Sequence, residues 1–314
     1  MKETVLVSGG AGYIGTHTTV ELIEAGYDVV IVDNLSNSEM EAVEGVRKIT
    51  GVNVPFEQVD CTDKEALGRV FDQYKFNSII HFAASKAVGE SVEKPLLYYR
   101  NNLQSLITIL ELMRDKGVRN IVFSSSCTVY GQPDVLPVTE QTPRQSATSP
   151  YGNTKQICED ILRDTVHAYP ELFGIALRYF NPIGAHPSAL IGELPKGVPM
   201  NLVPFITQTA AGIRECLSVF GDDYDTPDGS AIRDYIDVND LARAHVVAVD
   251  RMVGGKSKSN YEYFNIGTGR GLSVLELIAE FEKATGVKLN YKIVGRRAGD
   301  IEKIWADTTY ANKE

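Results

Sequence analysis

The sequence predicts an α/β protein: a doubly wound parallel sheet with a smaller, partly interleaved α/β domain. Three observations lead there. Short β-branched runs alternate with longer amphipathic segments over the first half, a glycine-rich turn follows the first run, and the chain becomes proline- and glycine-rich after Phe180. Strand–helix alternation of this kind implies βαβ units with right-handed crossovers.

Residues 4–8, 28–33, 54–60, 78–83 and 120–125 are nearly continuous Val/Ile/Phe runs. Such runs suit strands buried on both faces of a parallel sheet. Between them, 13–25, 64–74 and 95–116 carry helical periodicity, and a helix over 151–168 with a strand over 174–179 continues the pattern. Residues 182–204 and 221–229 predict irregular chain. A helix over 237–253 and a strand over 263–266 follow, before Gly267, Gly269 and Gly271. This last strand is expected to return to the first sheet. The expected division is 1–181 as a dinucleotide-binding domain, with 234–268 rejoining it, and 182–314 as a smaller substrate domain.

Of 314 residues, 43% are apolar and 23% charged, enough for a sizeable core. Acidic side chains outnumber basic ones, 41 to 31, for a net charge of −10. That balance argues against a broad nucleic-acid or anionic-membrane surface. No run approaches the roughly 18 apolar residues of a membrane span. The start, Met1-Lys2-Glu3 and then an apolar run ending at glycines, does not read as a secretory signal, so a cytoplasmic protein is expected. Cys61, Cys127, Cys158 and Cys216 are scattered and read as reduced. The five histidines are dispersed, and no metal site is predicted. Residues 223–229 loosely match a calcium loop, but Pro227 and Asp228 stand where a ligand and a glycine belong; a solvated turn is expected.

The glycine turn is Gly9-Gly10-Ala11-Gly12-Tyr13-Ile14-Gly15. Missing side chains permit a tight turn and let backbone N–H groups approach a pyrophosphate above a helix N-terminus, as in Rossmann dinucleotide sites. Gly9, Gly12, Tyr13, Ile14 and Gly15 are therefore candidate cofactor contacts. Asp33 ends the second predicted strand about 20 residues on, where a carboxylate accepts from the adenosine ribose. Its charge would repel a 2′-phosphate, so NAD is expected rather than NADP. Asp60, Phe82 and Ala83 lie at the same strand-end edge.

Among 15 tyrosines only Tyr151 has a lysine four residues later, Lys155, on a segment reading as a helix that Pro150 opens. Positions i and i+4 share a helix face. Upstream, a strand ends in Ser124-Ser125-Ser126 at the edge carrying the glycine turn. A phenol of pKa near 10 is a poor base at neutral pH; about three units, roughly 4 kcal/mol, must favour the phenolate. Lys155 and a cationic nicotinamide are the expected sources. Ser126 would hydrogen-bond the reacting hydroxyl or relay its proton.

These features resemble the extended short-chain dehydrogenase/reductase family, and within it the nucleotide-sugar epimerases. The resemblance runs through HFAASKAVGESV from His81, FSSSCTVYG from Phe123, SPYGNTK from Ser149, RYFNPIGAHPS from Arg178, NLVP from Asn201, RDYI from Arg233 and RRAGD from Arg296. It implies tightly held NAD and inversion of C4 in a UDP-linked hexose, interconverting UDP-galactose and UDP-glucose. It also implies a homodimer. Tyr151 would remove the 4-OH proton, with Ser126 and Lys155 beside it. By position, Asn181, Asn201, Leu202 and Phe220 would hold the nucleotide-sugar together with Arg233, Arg297 and Asp300. Asn34, Cys61, Lys86, Asn101 and Tyr179 would join the cofactor contacts, Lys86 facing the substrate as well. Arginines suit a diphosphate. Ala84 and Ser85 depart from the family's frequent Gly-Leu, and Ile304 stands at a pocket wall where side-chain size goes with acceptance of N-acetylated sugars.

Two other readings compete. A nucleotide-sugar 4,6-dehydratase resembles this sequence but carries Asp-Glu where Cys127 and Thr128 stand. A non-catalytic NAD-binding scaffold would not need the Ser126, Tyr151 and Lys155 set. A related epimerase acting on a uronic acid or pentose remains compatible with the sequence.

Overall fold

A computed structural model describes residues 3–297 and 299–314; Ala298, within the RRAGD stretch, and Met1-Lys2 lie outside the described residues. The first half builds strands β1 (Thr4–Ser8), β2 (Asp28–Asp33), β3 (Phe56–Gln58), β4 (Ser78–His81), β5 (Asn120–Ser124) and β6 (Phe173–Tyr179). Helices α1 (Tyr13–Glu24), α2 (Met40–Thr50), α3 (Lys64–Gln73), α4 (Val88–Glu93), α5 (Pro95–Lys116) and α6 (Pro150–Ala168) connect them. The second half adds β7 (Asn181–Ile183), α7 (Leu202–Ala210), β8 (Leu217–Phe220), β9 (Ile232–Asp237), α8 (Val238–Val253) and β10 (Tyr261–Ile266). It closes with β11 (Gly271–Ser273), α9 (Val274–Thr285), β12 (Tyr291–Val294), β13 (Lys303–Ile304) and α10 (Thr309–Lys313).

Seven strands form one parallel sheet in the order β10-β6-β5-β4-β1-β2-β3. The doubly wound expectation holds. Successive residues alternate between two cores: Val5, Val7, Val29 and Ile31 face one layer, Leu6, Val30 and Val32 the other. Both faces are dry, which is why these strands read as unbroken apolar runs. Each fully buried aliphatic side chain contributes about 1.5–3 kcal/mol of transfer free energy. Strand order reverses direction between β1 and β4, so their carboxyl ends splay around a crevice, the usual ligand position in such sheets.

After β6 the chain leaves this sheet. β9 is the centre of a second sheet, pairing with β7 and β13 in parallel and β11 antiparallel. β8 and β12 form a small parallel ribbon whose Leu217 and Val219 pack with Ile206 of α7 and Ile278 of α9. α8 then covers the first sheet, placing Leu241 and Val249 with Val20 and Leu22, and β10 extends it beside β6.

Several boundaries move. The expected strand over 54–60 shrinks to three residues, because Pro55 lacks an N–H and the Val54 N–H donates to Val52 instead. Helix α2 was unforeseen: Glu39 gives no side-chain cap, and Gly45 interrupts the pattern. That glycine is obligatory, since a Cβ there would stand 2.5 Å from the Leu190 carbonyl oxygen. Helix α4 was also unforeseen. In the turn over 223–229, the Asp228 carboxylate accepts from Ser230 and Ser273, while Tyr224 is buried beneath the Arg296 guanidinium. Cys61, Cys127 and Cys158 are buried and Cys216 half-buried, all unbridged.

Candidate active site

The glycine turn begins where the Gly9 N–H donates to the Val32 carbonyl at 2.8 Å, pulling the turn onto β2. Gly9 has φ +70°, and a Cβ there would meet the Ala83 nitrogen at 2.7 Å. At Gly15 a Cβ would lie 2.4 Å from the Gly9 carbonyl oxygen, so helix and strand approach as closely as backbone allows. Gly12 opens α1 without a side-chain cap, and the first turn has no acidic residue. Its N–H groups and helix dipole thus face the crevice free of a built-in anion.

Asp33 is buried at the end of β2. Its Oδ1 accepts from the Leu35 N–H at 2.9 Å and from Ser38 Oγ at 2.8 Å, and its Oδ2 from the Ala11 N–H at 3.1 Å. A carboxylate has about four acceptor positions, so Asp33 braces the loop and can still accept one ribose hydroxyl. Asn34 donates to Asp60 Oδ2 at 3.0 Å. Burial pushes the Asp60 carboxyl up, but hydrogen bonds from Thr62 and Asn34 outweigh it and hold it below its ordinary value. Burial pushes the neighbouring Cys61 thiol up to about 12, so it packs rather than reacts. Phe82 lies 4.7 Å from the His245 ring. Asn101 donates to Ser85 Oγ at 3.1 Å, which gives the family-atypical Ser85 a use. These residues fit a dinucleotide: a side-chain-free cradle at a helix N-terminus and a carboxylate at the ribose position.

The Ser-Tyr-Lys set assembles at the carboxyl end of β5. Ser149 caps α6 by accepting from the Gly152 N–H at 3.1 Å, and Pro150 fills the first helical position. This start sets Tyr151 half-buried beside Ser126, whose Oγ accepts from the Thr128 N–H at 3.2 Å. Lys155, one turn on, is buried; its ammonium donates to the Ser124 carbonyl at 2.5 Å and lies 5.8 Å from the Tyr151 ring centre. Tyr179 hydrogen-bonds Ser124 Oγ.

The protein's own groups do not by themselves favour the phenolate. Burial pushes the Tyr151 phenol above its ordinary value, the Ser126 hydrogen bond opposing it, rather than bringing it towards neutrality. Burial likewise lowers Lys155 to about 8, with the Cys158 and Glu159 positions opposing the fall. Burial is the largest cause, so the chain's own groups keep the phenol protonated at neutral pH. Burial raises the Cys127 thiol to about 12, far from the acidity of the carboxyl a dehydratase carries at this position.

Of the expected substrate residues, Phe220, Arg233, Arg297 and Asp300 are brought together, while Asn181 lies in β7 and Asn201 and Leu202 at the start of α7. Asn181 is half-buried in β7, beside Tyr235 of β9. Asn201 precedes α7 and donates to Glu193 Oε1, which also lies 3.4 Å from the Lys86 ammonium. Leu202 packs partly into the α7–α9 core. Arg297 donates to both Asp300 oxygens, at 3.1 and 2.7 Å, and its guanidinium sits 5.6 Å from the exposed Phe220 ring. Arg233 donates to the carbonyls of Ile232, Ile301 and Glu302 and lies 3.9 Å from Asp300. Two arginines therefore share one carboxylate, leaving net positive charge. Ile304 is buried with Cys127, Tyr130 and Phe180. Sequence reasoning missed Ser125, Glu159, Arg178 and Glu193; the Lys155–Glu159 spacing, one helical turn, was the available signal.

A parallel sheet with this cradle at its switch point and a Ser-Tyr-Lys set at the end of β5 defines a nicotinamide-dependent enzyme acting on a carbinol carbon. The chain belongs to the NAD dependent epimerase/dehydratase family, whose model matches residues 5–267. It is 51% identical over 317 residues to UDP-glucose 4-epimerase 2 of Arabidopsis thaliana, covering 100% of this chain and 90% of that one. Its structure resembles that of UDP-glucose 4-epimerase from Bifidobacterium longum in complex with NAD+ and UDP, with a TM-score of 0.96 and 50% identity over 99% of this chain and 92% of that one. It is also similar, at a TM-score of 0.94 and 47% identity over 99% and 92% of the two chains, to UDP-glucose-4-epimerase from Stenotrophomonas maltophila with bound NAD and formylated UDP-arabinopyranose.

Proposed function

We propose that this enzyme interconverts UDP-galactose and UDP-glucose, inverting C4 by transient oxidation with NAD it retains between turnovers. The observation carrying this reading is the convergence of Ser126, Tyr151 and Lys155 on the crevice beside the glycine cradle. Gly9, Gly12, Tyr13, Ile14 and Gly15 hold the pyrophosphate, Asp33 the ribose. Asn34, Asp60, Cys61, Phe82, Ala83, Lys86, Asn101 and Tyr179 complete the cofactor surround.

The dinucleotide, when bound, supplies reversible hydride acceptance from C4 and a cationic ring. That positive charge favours ionisation of Tyr151, which Lys155 alone does not achieve. The phenolate then takes the 4-OH proton, with Ser126 donating to the sugar oxygen. Tyr151 later returns the proton to the opposite epimer. Between these steps the hexose must present its other face, so binding is concentrated on the nucleotide. Arg233, Arg297 and Asp300 grip the diphosphate, and Asn181, Asn201, Leu202 and Phe220 the remainder of the UDP-sugar.

Residues 1–181 with 234–268 form the cofactor domain in this reading, except that 234–237 belong to β9 of the second sheet, and 182–314 otherwise form the substrate domain. A homodimer is supported by the exposed Leu96, Leu97 and Ile107 of α5, and a cytoplasmic location by the unbridged cysteines. No helix among the described residues is long and apolar enough to cross a membrane. The test is conversion of UDP-galactose to UDP-glucose without added NAD, with NAD released on denaturation. Turnover only with continuously supplied NAD, or net reduction of NAD, would overturn it.

A further inference from the structure

The three serines ending β5 are each engaged differently. The Ser124 carbonyl receives the Lys155 ammonium, Ser126 stands beside Tyr151, and Ser125, fully buried, donates its hydroxyl to Glu159 Oε1 at 2.5 Å. Lys155 and Glu159 are one helical turn apart, so two cross-ties bind the same strand end to the same helix face. Glu159 in turn is gripped by Arg178 of β6 through Nε at 2.8 Å and Nη2 at 2.6 Å, with side chains only 2% and 5% exposed. Arg178 Nη1 also donates to the Tyr130 hydroxyl at 3.0 Å, which donates to Asn265 of β10 at 2.6 Å. One carboxylate thus joins the catalytic helix, the catalytic strand and two neighbouring strands.

We propose that Glu159 is a positioning residue for the reaction: through Ser125 and Arg178 it fixes Ser126 and Lys155 against Tyr151. This rests on the acid–base reading of Tyr151 above. A buried ion pair is a poor stabilising device, often no better than an apolar pair of the same volume. Its location directly behind the Ser-Tyr-Lys set is where fixed geometry has chemical value, since a shift of about 1 Å can cost about a hundredfold in rate. Lys155 faces Tyr151, Cys158 and Glu159 on its own helix and His81 from β4. Glu159 faces Arg178, Arg144 at 3.7 Å and Tyr261 of β10. Glu159 is the carboxylate among the groups facing Lys155, so removing its charge lowers the pH at which the ammonium is lost. An uncompensated Arg178 pushes the same way.

The test compares wild type, Ser125→Ala, Glu159→Gln and Glu159→Asp for kcat, KM, pH profile, retained NAD and melting temperature. Tyr151 phenolate absorbance is titrated against matched Tyr151→Phe backgrounds. Ser125→Ala is expected to lower kcat about tenfold to a hundredfold with KM and NAD content unchanged. Glu159→Gln is expected to move the alkaline limb of kcat down by about one pH unit. Glu159→Asp, which restores charge without reach, recovers the limb but not kcat. Folded Ser125→Ala and Glu159→Gln proteins with wild-type kcat and pH limb would overturn the inference. If Glu159→Gln does not fold, kcat of Ser125→Ala, which leaves the ion pair intact, decides alone. If wild type itself fails to epimerise, the functional reading falls, while the phenolate titration still reports the coupling of Glu159 to the set.

Discussion

The Lys155 ammonium and the Ser124 carbonyl oxygen, 2.5 Å apart, tie helix α6 to the end of β5. The lysine therefore works partly as a strut. Lys155→Met removes strut and charge together and is expected to lower kcat about a thousandfold or more. Tyr151→Phe, which keeps the strut, is expected to lower it by about 10²–10⁴ while NAD content stays at wild type. Near-normal turnover of Tyr151→Phe would show that another group moves the proton.

The glycine cradle has no slack at Gly15. Gly15→Ala sets a methyl 2.4 Å from the Gly9 carbonyl oxygen, forcing α1 off the strand. The expected cost is about 1–3 kcal/mol, typical of overpacking, with a lower melting temperature and little NAD co-purifying. Full NAD occupancy in a purified Gly15→Ala protein would contradict the close-approach argument.

The two arginines separate by what else they hold. Among the described residues Arg297 pairs with Asp300 and stacks on Phe220, so Arg297→Ala should raise KM about ten- to a hundredfold with kcat and melting temperature nearly unchanged. Arg233 also serves three backbone carbonyls. Arg233→Ala should therefore raise KM and lower the melting temperature together. Titration of UDP binding by calorimetry, beside thermal melts, distinguishes the two.

Acid sensitivity follows from buried histidines. Burial lowers His81 to about 3, with Lys155 opposing its protonation as well, lowers His245 to about 4, and depresses His17. An unfolded histidine titrates near 6.5. Between these values the unfolded chain binds more protons than the folded one, so stability is full above about pH 6.5 and falls as pH drops towards 4. Melting temperature measured across that window should decline, and His245→Phe should flatten part of the slope. A pH-independent melting temperature there would refute the assignment.

What could be read in advance was whatever the chain states locally. Val5-Leu6-Val7, the glycine turn and Asp33 carry their meaning within a few residues, and so do Tyr151 and Lys155 on one helix face. The failures are tertiary. Gly45 weakens a helix signal because Leu190, far along the chain, needs the space. β7, β11 and β13 are too short to show any alternation. Glu159 and Arg178, read singly, look like ordinary surface charges; only strand neighbours make them a buried pair.

Because the polypeptide departs from the large sheet after β6 and comes back as β10, the covalent chain crosses between the sheet and the β9-centred layer more than once. Neither part can swing away as a flap on a single tether. Entry or escape of a large guest from the cleft would then require concerted yielding along several strands of chain, which makes a long residence time a property of connectivity as much as of contact chemistry.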